Sequence, residues 1–202
     1  MIHLYRVLRR WLRASIFRTL IVAISGGLLC VQLALFLIEI DDGRSRIAAA
    51  AEERANAAID MLSSVHSEAM LNRRRIDDDD PAIATLNGTM EKFAGLNADV
   101  HIWLVMGPKI LAFQKSRGNT ELELARDAVD TEVLSSRANV SREVSGNLLR
   151  VSRPIILGKG VASNAKCAAC HTAAMGIRRG EIMGVYSASV DMLSLIHISE
   201  PT

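Results

Sequence analysis

Cys167-Ala168-Ala169-Cys170-His171 places two thiols two residues apart with an imidazole directly after the second. CxxCH is the attachment pattern of c-type haem. The thiols would add to the two haem vinyl groups as thioethers. The two-residue spacer lets both sulfurs reach one porphyrin edge, and the adjacent His171 would take one axial position on iron. Three other chemistries use the same residues. A zinc site needs further ligands, and the chain has no second CxxC and no HxxxH. A thioredoxin-like pair opens a helix after a strand near the start of a βαβ unit, whereas this pair sits near the end of the chain. A disulfide across so short a spacer would be strained. The third cysteine, Cys30, falls in an apolar run and reads as a small apolar filler.

The second axial position has two candidates. His66 and Met70 are four residues apart in a helical pattern, so they share a face. Methionine ligation would raise the iron potential and histidine ligation would lower it. The competing readings are a core methionine and a half-exposed helix histidine. An open sixth position would suit gas sensing. Met175 follows the motif closely enough to cover a ring edge, while Met183 reads as core and His101 as pointing to solvent or a second layer. Arg150 and Arg153 flank the approach to the motif and are candidates to pair with haem propionates, because arginine offers a planar donor fork to a carboxylate. The competing reading of both is an exposed strand face. Trp103 and Phe113 are expected in the core.

These groups must be positioned by the rest of the chain. Arg6, Arg9, Arg10, Arg13 and Arg18 precede an uncharged run of 19 residues, 20–38, and Glu39, Asp41 and Asp42 follow. At about 1.5 Å per residue such a helix nearly spans a hydrocarbon core. The arginines should remain cytoplasmic, so the chain beyond residue 41 should face outward. The run is longer than a signal-peptide core and lacks a small-x-small cleavage site, which favours an uncleaved anchor. The expected organisation is a cytoplasmic basic segment 1–18, a transmembrane helix 19–40 and an outward-facing domain 41–192. Residues 193–202 (LSLIHISEPT) resemble a translated sequencing adaptor and carry no weight here.

Of the 202 residues, 50% are hydrophobic and 23% charged, which excludes a mainly disordered chain. A net charge of +2 without a clustered basic face outside the N-terminus argues against a nucleic-acid partner. Three cysteines exclude a disulfide-built miniprotein. There is no Gly-rich phosphate loop, nucleophile elbow or converging carboxylate–histidine set, so no enzyme activity is expected.

Residues 44–75 are Ala-rich and free of proline, and read as a long juxtamembrane helix. The run DDDDP at 77–81 reads as a turn and helix cap rather than a metal site. A second helix is expected over 82–96. A hairpin is expected from 99–106 and 109–114, and a helix over 120–136 capped by Asn119. Strands follow at 140–145 and 148–156, then a polar loop holding the cysteines, then a closing strand over 180–190. The result is an α+β fold with an antiparallel sheet of about five strands and flanking helices, a PAS-like or Cache-like arrangement.

The chain resembles the periplasmic c-type haem-binding PAS-like (Cache-like) sensor domains of bacterial transmembrane signalling receptors. The resemblance rests on Ala69-Met70-Leu71, on Leu149-Arg150-Val151-Ser152-Arg153-Pro154-Ile155, on the CxxCH motif and on the strand over 180–190. It implies one covalent haem c and single-pass attachment to a bacterial inner membrane with the sensor in the periplasm. It also implies a redox or small-gas signal and a cytoplasmic output module such as a histidine kinase or cyclic-dinucleotide enzyme. It places a methionine like Met70 near the haem, sometimes from a partner subunit. The Arg-rich sequence after Met70 departs from the family. The long helix allows a homodimer, although it has no clean heptad. The competing function is a membrane-anchored monohaem cytochrome that passes electrons.

Overall fold

The computed structural model describes residues 16–74 and 80–198. Arg6, Arg9, Arg10, Arg13, Arg75 and Asp77 to Asp79 lie outside the described residues. The chain divides into two units, residues 1–46 and 47–202. Helix α1 (Ile16–Asn72) begins in the first and ends in the second. Its N-terminal part contains a window of mean hydropathy 2.5 with none of it buried, long and apolar enough to cross a membrane by length and composition.

The second unit is built on a four-stranded antiparallel sheet of order β1-β4-β3-β2. Its strands are β1 (Val100–Met106), β2 (Val140–Ser145), β3 (Leu148–Ile156) and β4 (Ile182–Asp191). β2 and β3 form the expected hairpin, turning at Gly146 with φ 56°. β4 is central, pairing with β1 from Val100↔Val190 to Met106↔Gly184 and with β3 on its other side. Strand alternation then divides the side chains between two faces. On one face Ala51, Ala55, Ala58, Ile59, Leu62 and Ala69 of α1 join Val100, Leu149, Val151, Tyr186, Ala188 and Val190 in the main core. The three- and four-residue steps between most of these α1 positions make one stripe, and its alanines let the helix approach the sheet closely. On the other face Trp103, Val105 and Val185 pack with Val133 of α4 (Ala128–Ser136).

Three expectations fail here. The stretch 109–114 is not a strand but part of helix α3 (Pro108–Ser116), which reduces the sheet from five strands to four. Pro108 sits in the first turn, where its missing N–H costs nothing. Gly107 is pressed against β4: its N–H donates to the Met183 carbonyl at 2.7 Å, and a Cβ there would lie 2.5 Å from that oxygen. The helix expected from residue 120 starts only at Ala128, capped by Asp127, whose side chain accepts from the Asp130 N–H. Asn119 instead accepts from the Glu121 N–H in a local turn, and the Met106 N–H donates to Glu123 O, holding this segment against β1. The cysteines lie not in a loop but in helix α5 (Ala165–Met175), capped by Asn164 and ended by Gly176 at φ 63°. Asp80 does cap the second helix, α2 (Pro81–Leu96): its carboxylate accepts from the Ala82 and Arg74 N–H groups and is 2% exposed.

Candidate functional site

Within α5, Cys167, Cys170 and His171 stand at i, i+3 and i+4, so one helical face carries both thiols and the imidazole. Cys167 is half-buried and Cys170 exposed, and both are free. The Nδ1 of His171 is buried without a hydrogen-bond partner among the described residues. A buried imidazole nitrogen left unpaired costs about 1–3 kcal/mol, which marks a place where a further group would be accommodated.

Helix α1 brings His66 and Met70 to the same place. Together with His171, Met175, Met183 and Arg73 they line a cavity of about 420 Å³, whose apolar wall includes Leu86, Leu104, Ile110 and Ile155. That volume is in the range of ligand sites. A smaller cleft of about 190 Å³ is lined by Met70, Arg73, His171 and Met175 as well, and adds Cys167, Cys170, Arg74 and Lys166. The two spaces therefore share four residues around His171, and the thiols border the second.

The electrostatics of this corner keep its histidines neutral. Burial, followed by the nearby His171 and Arg73, brings His66 down to about 4. Burial and Arg73 hold His171 below its ordinary value. A neutral imidazole is the form that ligates a metal. Burial also pushes the Cys167 thiol up, opposite to the depressed value of a redox-active CxxC. His66 Nδ1 lies 2.7 Å from the Tyr186 hydroxyl, with the rings edge to face. Burial, and then Cys167, raise the Tyr186 phenol well above its usual range, so it remains protonated.

Arg150 and Arg153 do not join this site. Arg150 is 1% exposed and lies on the opposite face of the sheet. Its Nε and Nη2 donate to Asp127 at 2.8 and 3.2 Å, Nη2 also to Asp130 at 2.9 Å, and Nη1 to Ala188 O at 2.9 Å. Its guanidinium stacks 4.1 Å from the Trp103 ring centroid. Strand alternation places residues 150 and 153 on opposite faces, and the fold brings Asp130 to the Arg150 face. Arg153 faces α1, where Asp60 and Asn56 accept its donors at 2.6 and 2.5 Å. His101 is exposed as expected, and Trp103 is core. Tyr186 and Arg73 are the site residues that sequence reasoning missed. Tyr186 shows only the alternation of β4, and its partner is 120 residues away.

The residue types that a c-type haem would need are present but divided between the two spaces: the thiols and the cationic Arg74 and Lys166 border the smaller cleft, His66 and the apolar wall belong to the larger cavity, and His171, Met70, Met175 and Arg73 line both. Among the described residues no group of three or more His, Cys, Asp or Glu side chains is gathered in one place. No protein family, curated protein or solved structure matches this chain.

Proposed function

We propose that the chain is the membrane-anchored sensory part of a bacterial signalling receptor. In this reading the domain after residue 41 is periplasmic, binds one c-type haem through Cys167 and Cys170, and uses His171 as an axial ligand. The observation that carries it is that His171 and Met70 line both the cavity they share with His66 and the adjoining cleft bordered by the two thiols. When bound, the haem supplies an iron that responds to electrons or to small ligands.

The protein's own residues supply the remainder. The two cysteines tether the group so that it is not lost outside the cytoplasm. Leu86, Leu104, Ile110 and Ile155 keep water from part of the cavity. His66 and Met70 belong to α1, the same helix that holds the membrane-length apolar run, so a change at the cavity bears on the element leading toward the bilayer. Such coupling needs two arrangements of α1 whose balance the cavity contents bias.

The test is expression of the full chain with haem-c maturation machinery, followed by a spectrum after denaturation. Haem absorbance that stays with the unfolded chain, and is lost in Cys167→Ser/Cys170→Ser, is the expected result. A folded, colourless chain would refute the proposal.

A further inference from the structure

We infer that His66 is a hydrogen-bond donor to a small neutral ligand of the dioxygen class, and that Tyr186 is the positioning residue that makes it one. This rests on the haem reading and goes past it, by naming the ligand chemistry that the larger cavity prefers and by taking His66 out of the iron ligands. Two observations carry it.

The first is the bond between His66 Nδ1 and the Tyr186 hydroxyl, 2.7 Å long. Tyr186 is 4% exposed and lines neither the cavity nor the cleft, and its hydroxyl makes this one bond among the described residues. If the ring donated, the phenolic proton would be left buried without an acceptor, a cost greater than that of an unused lone pair. The hydroxyl therefore donates, and a neutral ring carries its proton on Nε2. Protonating the ring would only add a second proton at Nδ1, so Nε2 bears one in either charge state. A nitrogen that holds a proton has no lone pair to give to iron.

The second is the setting of that proton. His66 lines the larger cavity, and its ring makes no other hydrogen bond among the described residues. His171 Nδ1 is the one buried side-chain nitrogen or oxygen without a partner among those residues, so the equally unpartnered Nε2 of His66 is open. The wall formed by Leu86, Leu104, Ile110 and Ile155 favours an uncharged occupant. Charge gives no contrary preference, because Glu121 and Glu123 line the cavity as well as Arg73, and Arg73 already has a partner. The same carboxylates weigh against a haem propionate or another anion as acceptor of the His66 proton. A donor beside an apolar wall selects a diatomic that accepts a hydrogen bond, as dioxygen does and carbon monoxide hardly does.

The full chain in detergent, loaded with haem c and reduced, tests the inference through the release rates of dioxygen and carbon monoxide. His66→Leu should release dioxygen roughly 10-fold or more faster, with a far smaller change for carbon monoxide. Tyr186→Phe, which lets the imidazole proton move to Nδ1, should shift release the same way by a smaller factor. His66→Gln, which keeps an N–H donor, should stay nearer the parent. In the carbon monoxide-bound chain, which is diamagnetic, the nitrogen-15 resonances of the His66 ring should show a proton on Nε2. A bare Nε2, an absent or equal effect of His66→Leu on the two gases, no dioxygen binding, or a lost axial ligand in the His66→Leu absorption spectrum overturns this inference and leaves the haem reading standing. A denatured spectrum without covalent haem overturns both.

Discussion

Replacing Arg150 with methionine separates a structural arginine from a haem-binding one. Methionine retains the packing of the aliphatic stem and removes the guanidinium. Lost with it are the two bonds to Asp127, the bond to Asp130, the bond to Ala188 O and the stacking on Trp103. Asp130, 0% exposed, would then be a buried carboxylate without its cation. It would still accept from Trp103 Nε1 at 3.0 Å, the Arg126 N–H at 3.0 Å and Ser187 Oγ at 2.6 Å. Removing one partner of a buried pair costs about 3–5 kcal/mol, and three surviving donors put this case at the lower end. Asp127 is 38% exposed and rehydrates, so it adds little. A loss of about 3 kcal/mol in a domain of this size lowers the melting temperature by roughly 10 °C. Thermal melts of the detergent-solubilised chain, followed by circular dichroism, measure it. The double variant Arg150→Met/Asp130→Asn should recover part of the loss, since the stranded charge is gone. A fall of under about 1 kcal/mol would refute the buried-pair reasoning. An altered haem spectrum at unchanged stability would return Arg150 to the haem site.

Further predictions address packing, pH and ligation. Gly184→Ala drives a Cβ into the Val105 carbonyl oxygen between the paired strands and should cost about 1–3 kcal/mol or more, read as a lowered denaturation midpoint. For Asp127, burial pulls the carboxyl upward, but hydrogen bonds from Arg150 and the Asp130 N–H outweigh it and leave it below its ordinary value. Its contribution to stability is therefore present above the unfolded carboxylate value near ~4 and is lost as pH falls through the lower folded value. Acid melts of Asp127→Asn should show a flatter limb in that window than the parent chain. Met70→Leu conserves volume, so the fold should hold to within about 1.5 kcal/mol. If Met70 is the sixth ligand, the midpoint potential of the haem should fall and the absorption spectrum change; if Met70 serves only as packing, both stay as they were.

What the chain determines by itself is local. The spacing of Cys167, Cys170 and His171, the apolar run 20–38, the β2–β3 hairpin and the alternation of β4 are visible because each depends on residues a few positions apart. Asp80 was legible as a cap for the same reason. The failures concern competition between partners. Residues 109–114 have strand-like composition, yet the Gly107 N–H is held by Met183 O of β4 and Pro108 starts a helix there instead. The polar segment around the cysteines becomes α5 because Asn164 and Gly176 supply its two caps. Arg150 looked available for a carboxylate, and it is, but the carboxylates belong to Asp127 and Asp130. The His66–Tyr186 bond joins residues 120 positions apart and leaves no trace in either neighbourhood. Periodicity tells which side chains share a face, whereas burial and hydrogen-bond satisfaction across the sheet decide what that face meets, and those depend on elements far away in the chain.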